Sequence, residues 1–136
     1  MKKDEHPLRI TAAKILENWG MMMVDEPSQP LETLFVENEP LYRSLVELQG
    51  VVSGTVAIIA QSEFISALAC NVLGESDESQ LNQRDREDAF RELGNILAGN
   101  FITEAYGDDV VFDLLNPSVT NITQNGLRKR STYSCY

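Results

Sequence analysis

Between Pro7 and Met23 the apolar residues Leu8, Ala12, Ile15, Leu16, Trp19, Met22 and Met23 recur at steps of three and four. That period, with a proline suited to a first helical turn, predicts an amphipathic helix over 7–24. Asp25-Glu-Pro-Ser-Gln-Pro30 closes it, since two prolines in four residues continue neither helix nor sheet. Residues 31–38 follow no clear period. From Leu41 the period becomes two: Tyr42, Ser44, Val46 and Leu48 share a side, Gly50 to Gly54 turn the chain, and Thr55-Val-Ala-Ile-Ile-Ala60 follows. A β-hairpin over 41–61 is predicted. Ser62 is suited to cap a helix over 62–74 that Gly74 closes, and 75–79 is a polar linker. A longer helix spans 80–106, stopped by Gly107. Strands over 110–136 complete the chain, with a break at Asn116-Pro117, a turn at Asn125-Gly126 and a last strand from Leu127 to Tyr136.

Read together, these elements make one domain over 1–136 of class α+β, a mostly antiparallel β-sheet with helices packed on one face. Helix, two strands and helix are followed by helix and strands, a loose internal pseudo-duplication.

Composition narrows the function. No apolar run is long enough to span a bilayer, and Arg9, Lys14 and Glu17 interrupt any leader-like segment, so the expected location is cytoplasmic. Acidic residues number 21 against 11 basic, a net charge of −10, which opposes nucleic-acid binding and favours a partner presenting Lys or Arg. Cys70 and Cys135 provide neither a disulfide framework nor a ligand pair. His6 is the single histidine, in a charged tail expected to fray, which excludes histidine triads and histidine-ligated metals. Glycine-rich phosphate loops and calcium loops are absent from the sequence, and the acidic clusters Glu75-Ser-Asp77-Glu78 and Asp108-Asp109 read as solvated loops.

One stretch of the long helix is odd. Asp88-Ala-Phe-Arg-Glu-Leu-Gly-Asn-Ile-Leu-Ala-Gly-Asn-Phe101 holds two glycines, each costing about 1 kcal/mol against alanine in a helix interior. At about 100° per residue, Asp88, Glu92, Asn95 and Gly99 fall within an arc of roughly 60°, opposite Phe90, Leu93, Leu97 and Phe101. They form a polar strip ending in a glycine that leaves backbone uncovered, where a partner can approach closely. Gly94 lies nearer the buried side and suits close helix packing. A Glu and an Asn one turn apart are not an acid and base pair, because an amide does not titrate and an exposed Glu is ionised at neutral pH. They can position: the amide holds a water in line with a phosphorus atom, and the carboxylate anchors a lysine. Either the strip completes a partner's active site or it is a solvated helix face.

The spacing Asp88-xxx-Glu92-xx-Asn95 resembles the signature of the bacterial chemotaxis phosphatases of the CheC, CheX and FliY group, and CheX most. The Gly50 to Gly54 hairpin and the helix ending Val72-Leu-Gly are similar to the family's hairpin and following helix, so the likeness covers roughly 40–120. It implies a CheC-like fold and hydrolysis of the aspartyl phosphate on a CheY-like receiver domain. Glu92 would pair with the receiver's lysine and Asn95 would orient the attacking water, while Asp88 would either help the contact with the partner or only cap and solvate the helix, and Gly99 would assist the contact. The receiver would supply Mg2+, and no cofactor or metal is expected on this chain. Thr11, Ile15 and Asn18 stand at the corresponding spacing in the first helix, but Ile15 replaces the acid, which leaves one site per chain. That is the CheX pattern, and it implies a homodimer through sheet edges. The family's C-terminal sheet usually continues past Ser131-Thr-Tyr-Ser-Cys-Tyr136, which implies a trimmed sheet here or a sequence that stops short of it. The competing expectation is a non-catalytic interaction module of the same fold, akin to flagellar switch proteins.

Overall fold

The computed structural model describes residues 6–25, 29–30 and 33–122. Helix α1 (Pro7–Asn18) is followed by strands β1 (Leu41–Gly50) and β2 (Gly54–Gln61), helix α2 (Ser62–Leu73), a short 3-10 turn at Glu78–Gln80, helix α3 (Gln83–Tyr106) and strand β3 (Phe112–Ile122). The strands form an antiparallel sheet in the order β2-β1-β3. This is the α+β class expected. The turn at Asn125-Gly126 and the strand from Leu127 to Tyr136 lie outside the described residues, so of the second half of the pseudo-duplication α3 and β3 are described.

Ser44, Val46 and Leu48 alternate inward from β1 and are buried, and Tyr42 is half-buried. Their cross-strand neighbours Ile58 and Val119, Val56, and Leu114 lie on the same face. On that face they join Phe90, Leu93, Leu97, Ala98 and Ile102 of α3, Ile65 and Leu68 of α2 and Ile15 of α1 in one core. Helix α3 is the central helix, packed against all three strands and against both α1 and α2.

The boundaries differ from expectation where long-range contacts intervene. Helix α1 ends at Asn18, not near 24: Met21 takes a left-handed φ of 52°, and Asn71 Nδ2 of α2 donates to the carbonyls of Gly20 (2.9 Å) and Met21 (3.4 Å). Those oxygens are satisfied by a side chain fifty residues away, so no further helical turn is needed. Helix α2 is not capped by Ser62. The Glu39 carboxylate reaches in from the preceding loop and accepts from the backbone N–H of Glu63 (2.9 Å) and the Ser62 hydroxyl (3.3 Å). At the other end Gly74, with φ 69°, closes α2 as expected, and Glu75 N–H donates to the Cys70 carbonyl at 2.9 Å.

The Asn116-Pro117 break is a bulge inside one strand. Register slips between Leu45↔Ser118 and Glu47↔Leu115, leaving an extra residue on β3 where proline has no N–H to pair. Asn116, at φ 51°, donates from Nδ2 to Glu47 Oε2 at 2.8 Å across the bulge. His6 does not fray: its Nδ1 accepts from the Leu8 N–H (3.1 Å) as the cap of α1, and its ring stacks on Phe101 of α3 with centroids 6.4 Å apart. Among the described residues no helix is long and apolar enough to cross a membrane.

Candidate functional site

Helix α3 starts with a reciprocal capping box. Asn82 Oδ1 accepts from the Asp85 N–H (2.7 Å) and Asp85 Oδ2 accepts from the Asn82 N–H (3.1 Å), which sets the register of the whole helix from its first turn. Gly94 then lets the helix lie close to the sheet, because a Cβ there would stand 2.5 Å from the Oγ of Ser44 on β1. This explains one of the two glycines as a packing residue.

The strip emerges on the outer side of α3, graded in exposure: Asp88 and Glu92 are exposed, while Asn95 and Gly99 are half-buried. A fully solvent-facing Asn95 was expected. The difference arises because Ala98 and Ile102, both fully buried, carry the covered side of this central helix to within about 20° of Asn95 on the helical wheel. A wheel with one apolar face suits a helix packed on one side, and α3 is packed on three.

The members of the strip differ sharply in their partners. Asp88 is engaged on its own helix, with Arg91 Nη1 at 2.8 Å and Arg84 Nε at 3.8 Å. Glu92 has Asp88, Ala89, Asn95 and Ile96 at the helical neighbour positions, none of them cationic, and it makes no ion pair or hydrogen bond with another described residue. Its charge is therefore available to a partner. The Asn95 Oδ1 is shielded from solvent and accepts no hydrogen bond among the described residues. An unmet buried acceptor of this kind costs about 1–3 kcal/mol, a cost that a donor brought by a water or a partner removes.

At Gly99 a Cβ would meet nothing within 4 Å. Internal packing does not explain this glycine. Gly99→Ala is expected to raise stability by about 0.5–1 kcal/mol through helix propensity, read as a higher Tm. If a partner approaches the bare backbone there, the same change weakens its binding.

At the equivalent positions of α1, Thr11 and Ile15 are buried, at 4% and 8% exposure, and Asn18 is exposed without an acid three positions before it, so α1 presents no second strip. The acidic clusters are exposed turns: Asp77 caps the 3-10 turn by accepting from the Ser79 N–H at 2.9 Å. Its hydrogen bonds from Ser79 hold its carboxyl below the ordinary range. Cys70 is half-buried, and burial together with Glu78 and Glu75 pushes its thiol up, away from the reactive thiolate. Cys135 lies outside the described residues. No group of three or more His, Cys, Asp or Glu side chains among the described residues is placed to hold a metal ion.

The sequence also matches a family model, described as chemotaxis phosphatase CheX, over residues 42–136. The chain belongs to the CheX family of chemotaxis phosphatases. Three solved structures share the fold of this CheX family member. A chemotaxis protein CheX from Desulfovibrio desulfuricans aligns with a TM-score of 0.63 and 19% identity over 86% of this chain and 81% of the other. CheX from Vibrio vulnificus gives 0.62 and 20% over 86% and 76%. The CheX-CheY-BeF3-Mg complex from Borrelia burgdorferi gives 0.55 and 23% over 94% and 80%. No curated protein sequence matches the chain. In this CheX fold the strip lies on the long helix that the sheet and both other helices support. What sequence reasoning missed is the pair Arg84 and Arg91 that engages Asp88, although their i−4 and i+3 spacing from Asp88 was a sufficient signal.

Proposed function

We propose that this CheX family member hydrolyses the aspartyl phosphate of a CheY-like receiver domain in the cytoplasm by completing the receiver's own active site. The observation that carries this reading is the arrangement on α3: an exposed carboxylate at Glu92 and, one turn on, the Asn95 amide, the carboxylate unpaired and the amide oxygen unmet among the described residues. Family membership supports the phosphatase activity, and the Borrelia burgdorferi neighbour is a complex of CheX with CheY, BeF3 and Mg2+.

In this reading Glu92 pairs with the lysine of the receiver and fixes α3 over the phosphoryl group. The Asn95 amide, directed into the receiver, holds a water in line with the phosphorus. The water oxygen forms the new P–O bond as the bond to the aspartyl oxygen breaks, releasing inorganic phosphate and a free carboxylate. The amide takes no proton. Its contribution is orientation, which converts an encounter with bulk water into a positioned attack. The Mg2+ belongs to the receiver. Two chains pair through sheet edges, of which β2 and β3 are the outer strands among the described residues.

The test is phosphate release from receiver domains of the same genome, charged with acetyl phosphate and magnesium, with and without the chain. Acceleration of at least one receiver is expected. Binding without acceleration by any of them would favour the non-catalytic module instead. Glu92→Lys places two ammonium groups face to face, and is expected to weaken docking roughly tenfold, seen as slower association with the receiver while the circular dichroism of the variant matches the parent.

A further inference from the structure

Past Asn95 and Gly99, the face of α3 that carries the strip continues to Tyr106, the last residue of the helix. Tyr106 stands seven positions after Gly99 and eleven after Asn95, so on the helical wheel it falls between them, about 20° from each. A lone exposed aromatic side chain means nothing by itself. Tyr106, however, is 48% exposed and is the only exposed aromatic among the described residues. It makes no hydrogen bond or ring contact with another described residue and does not join the core beneath α3. Packing among the described residues accounts for its position no better than it accounts for Gly99.

At about 1.5 Å per residue, Tyr106 lies about 10 Å along the helix from Gly99 and about 16 Å from Asn95. Helical side chains lean toward the N-terminus, which carries its ring back toward Gly99. Between ring and amide the floor is bare: Gly99 has no side chain, and the Thr103 hydroxyl is turned to its own helix, donating to the Gly99 carbonyl at 3.2 Å. Toward the N-terminus the same face carries Asp88 with Arg84 and Arg91 about it, side chains that hold a partner's backbone away. A partner docked at Glu92 and Asn95 therefore comes closest to α3 on the Gly99 side. A specific contact covers about 800 Å² on each protein, a patch of roughly 16 Å radius, and centred on Asn95 such a patch reaches Tyr106.

We infer that the receiver seats over Gly99 and that Tyr106 anchors it, its ring packing on an apolar part of the receiver surface about 10–15 Å from the phosphorylated aspartate. The inference rests on the receiver-phosphatase reading and adds to it the direction in which the receiver lies along α3. Tyrosine suits the place because it buries a large rigid surface at little entropic cost while its hydroxyl stays wet, and such side chains carry a large share of binding energy at interfaces. The contact stands about three helical turns from Asn95. It is made equally before and during the attack on phosphorus, so it sets KM and leaves kcat unchanged.

The experiment measures kcat and KM for phosphate release from a receiver charged with acetyl phosphate and magnesium, together with the Tm of each chain. It compares the parent with Tyr106→Ala, Tyr106→Phe, Gly99→Leu and, as a control, Leu73→Ala, which truncates an apolar side chain 55% exposed at the end of α2. Tyr106→Ala is expected to raise KM roughly tenfold, with kcat and Tm close to the parent's. Tyr106→Phe recovers most of that affinity, because the ring and not the hydroxyl makes the contact. Gly99→Leu fills the floor with a side chain whose Cβ meets nothing in the fold, and raises KM at least as far. Leu73→Ala keeps the parent's KM. A Tyr106→Ala chain with the parent's KM overturns the anchor, as does a loss confined to kcat or one that follows a lowered Tm. Gly99→Leu with the parent's KM would mean that the receiver does not lie over this part of α3, and overturns the seating. A loss in Leu73→Ala as large as in Tyr106→Ala would make the effect general to exposed apolar side chains and overturn the anchor too. An active parent with indifferent variants sinks the anchor alone, whereas a parent that accelerates no receiver sinks the phosphatase reading and the anchor with it.

Discussion

Asn95→Ala is expected to abolish the acceleration of phosphate release, with a loss of roughly 10²–10³-fold, while the fold becomes no less stable. The two halves of this expectation have separate origins. In the proposed mechanism activity falls because alanine has neither donor nor acceptor to hold the attacking water, and Glu92 alone would dock without orienting anything. Stability holds because the Asn95 Oδ1 is shielded and unpartnered. Its removal relieves about 1–3 kcal/mol of unmet desolvation, and alanine favours the helix by roughly half a kcal/mol over asparagine. Lost side-chain contacts offset part of this gain. The measurement is the phosphate-release rate with saturating chain, paired with a thermal melt of each protein. A variant that retained full activity would remove Asn95 from the mechanism, and one with a lowered Tm would assign the amide a structural role.

Gly94→Ala carries the largest expected effect on stability. The added Cβ would come within 2.5 Å of the Ser44 Oγ, and Ser44 is only 2% exposed, so the hydroxyl has little room to turn away. Overpacking of this kind costs about 1–3 kcal/mol, more than the roughly 1 kcal/mol that alanine returns in helix propensity. A drop in Tm of several degrees is expected for a chain of this size. The next nearest Ser44 atom, Cβ, would be 3.6 Å away, an ordinary contact. Ser44→Ala is therefore expected to restore stability to Gly94→Ala, and the pair should show a coupling of about 1 kcal/mol or more. Additive effects in that double-mutant cycle would mean that helix and sheet do not meet at this point.

Glycine thus serves two ends on one helix. Gly94 brings α3 close to β1, and Gly99 leaves the outer face open. Helix propensity cannot tell them apart, because both lose the same backbone stability. Opposite responses to alanine, destabilising at 94 and stabilising at 99, separate the packing residue from the exposed one.

Much of the fold was legible along the chain. The two-residue period of β1, the three-and-four period of α1 and the glycines closing α2 and α3 all mark local backbone choices, and these depend mainly on neighbours in sequence. Misplaced features depended on residues far away. Asn71 ends α1 and Glu39 caps α2, each through a hydrogen bond spanning more than twenty positions. The Asn116-Pro117 bulge became part of a strand because Glu47 of β1 binds Asn116 across it.

The strip followed the same division. By itself the sequence determined that Asp88, Glu92, Asn95 and Gly99 share one face, since helical geometry depends only on spacing. Only the tertiary structure decided how that face is used. Packing on three sides of α3 half-buries Asn95, and among the described residues its acceptor stays unmet, the arginines draw Asp88 to themselves, and Glu92 makes no ion pair. Spacing sets direction, but burial and pairing depend on which surfaces meet, and those are settled only when the helices close over the sheet.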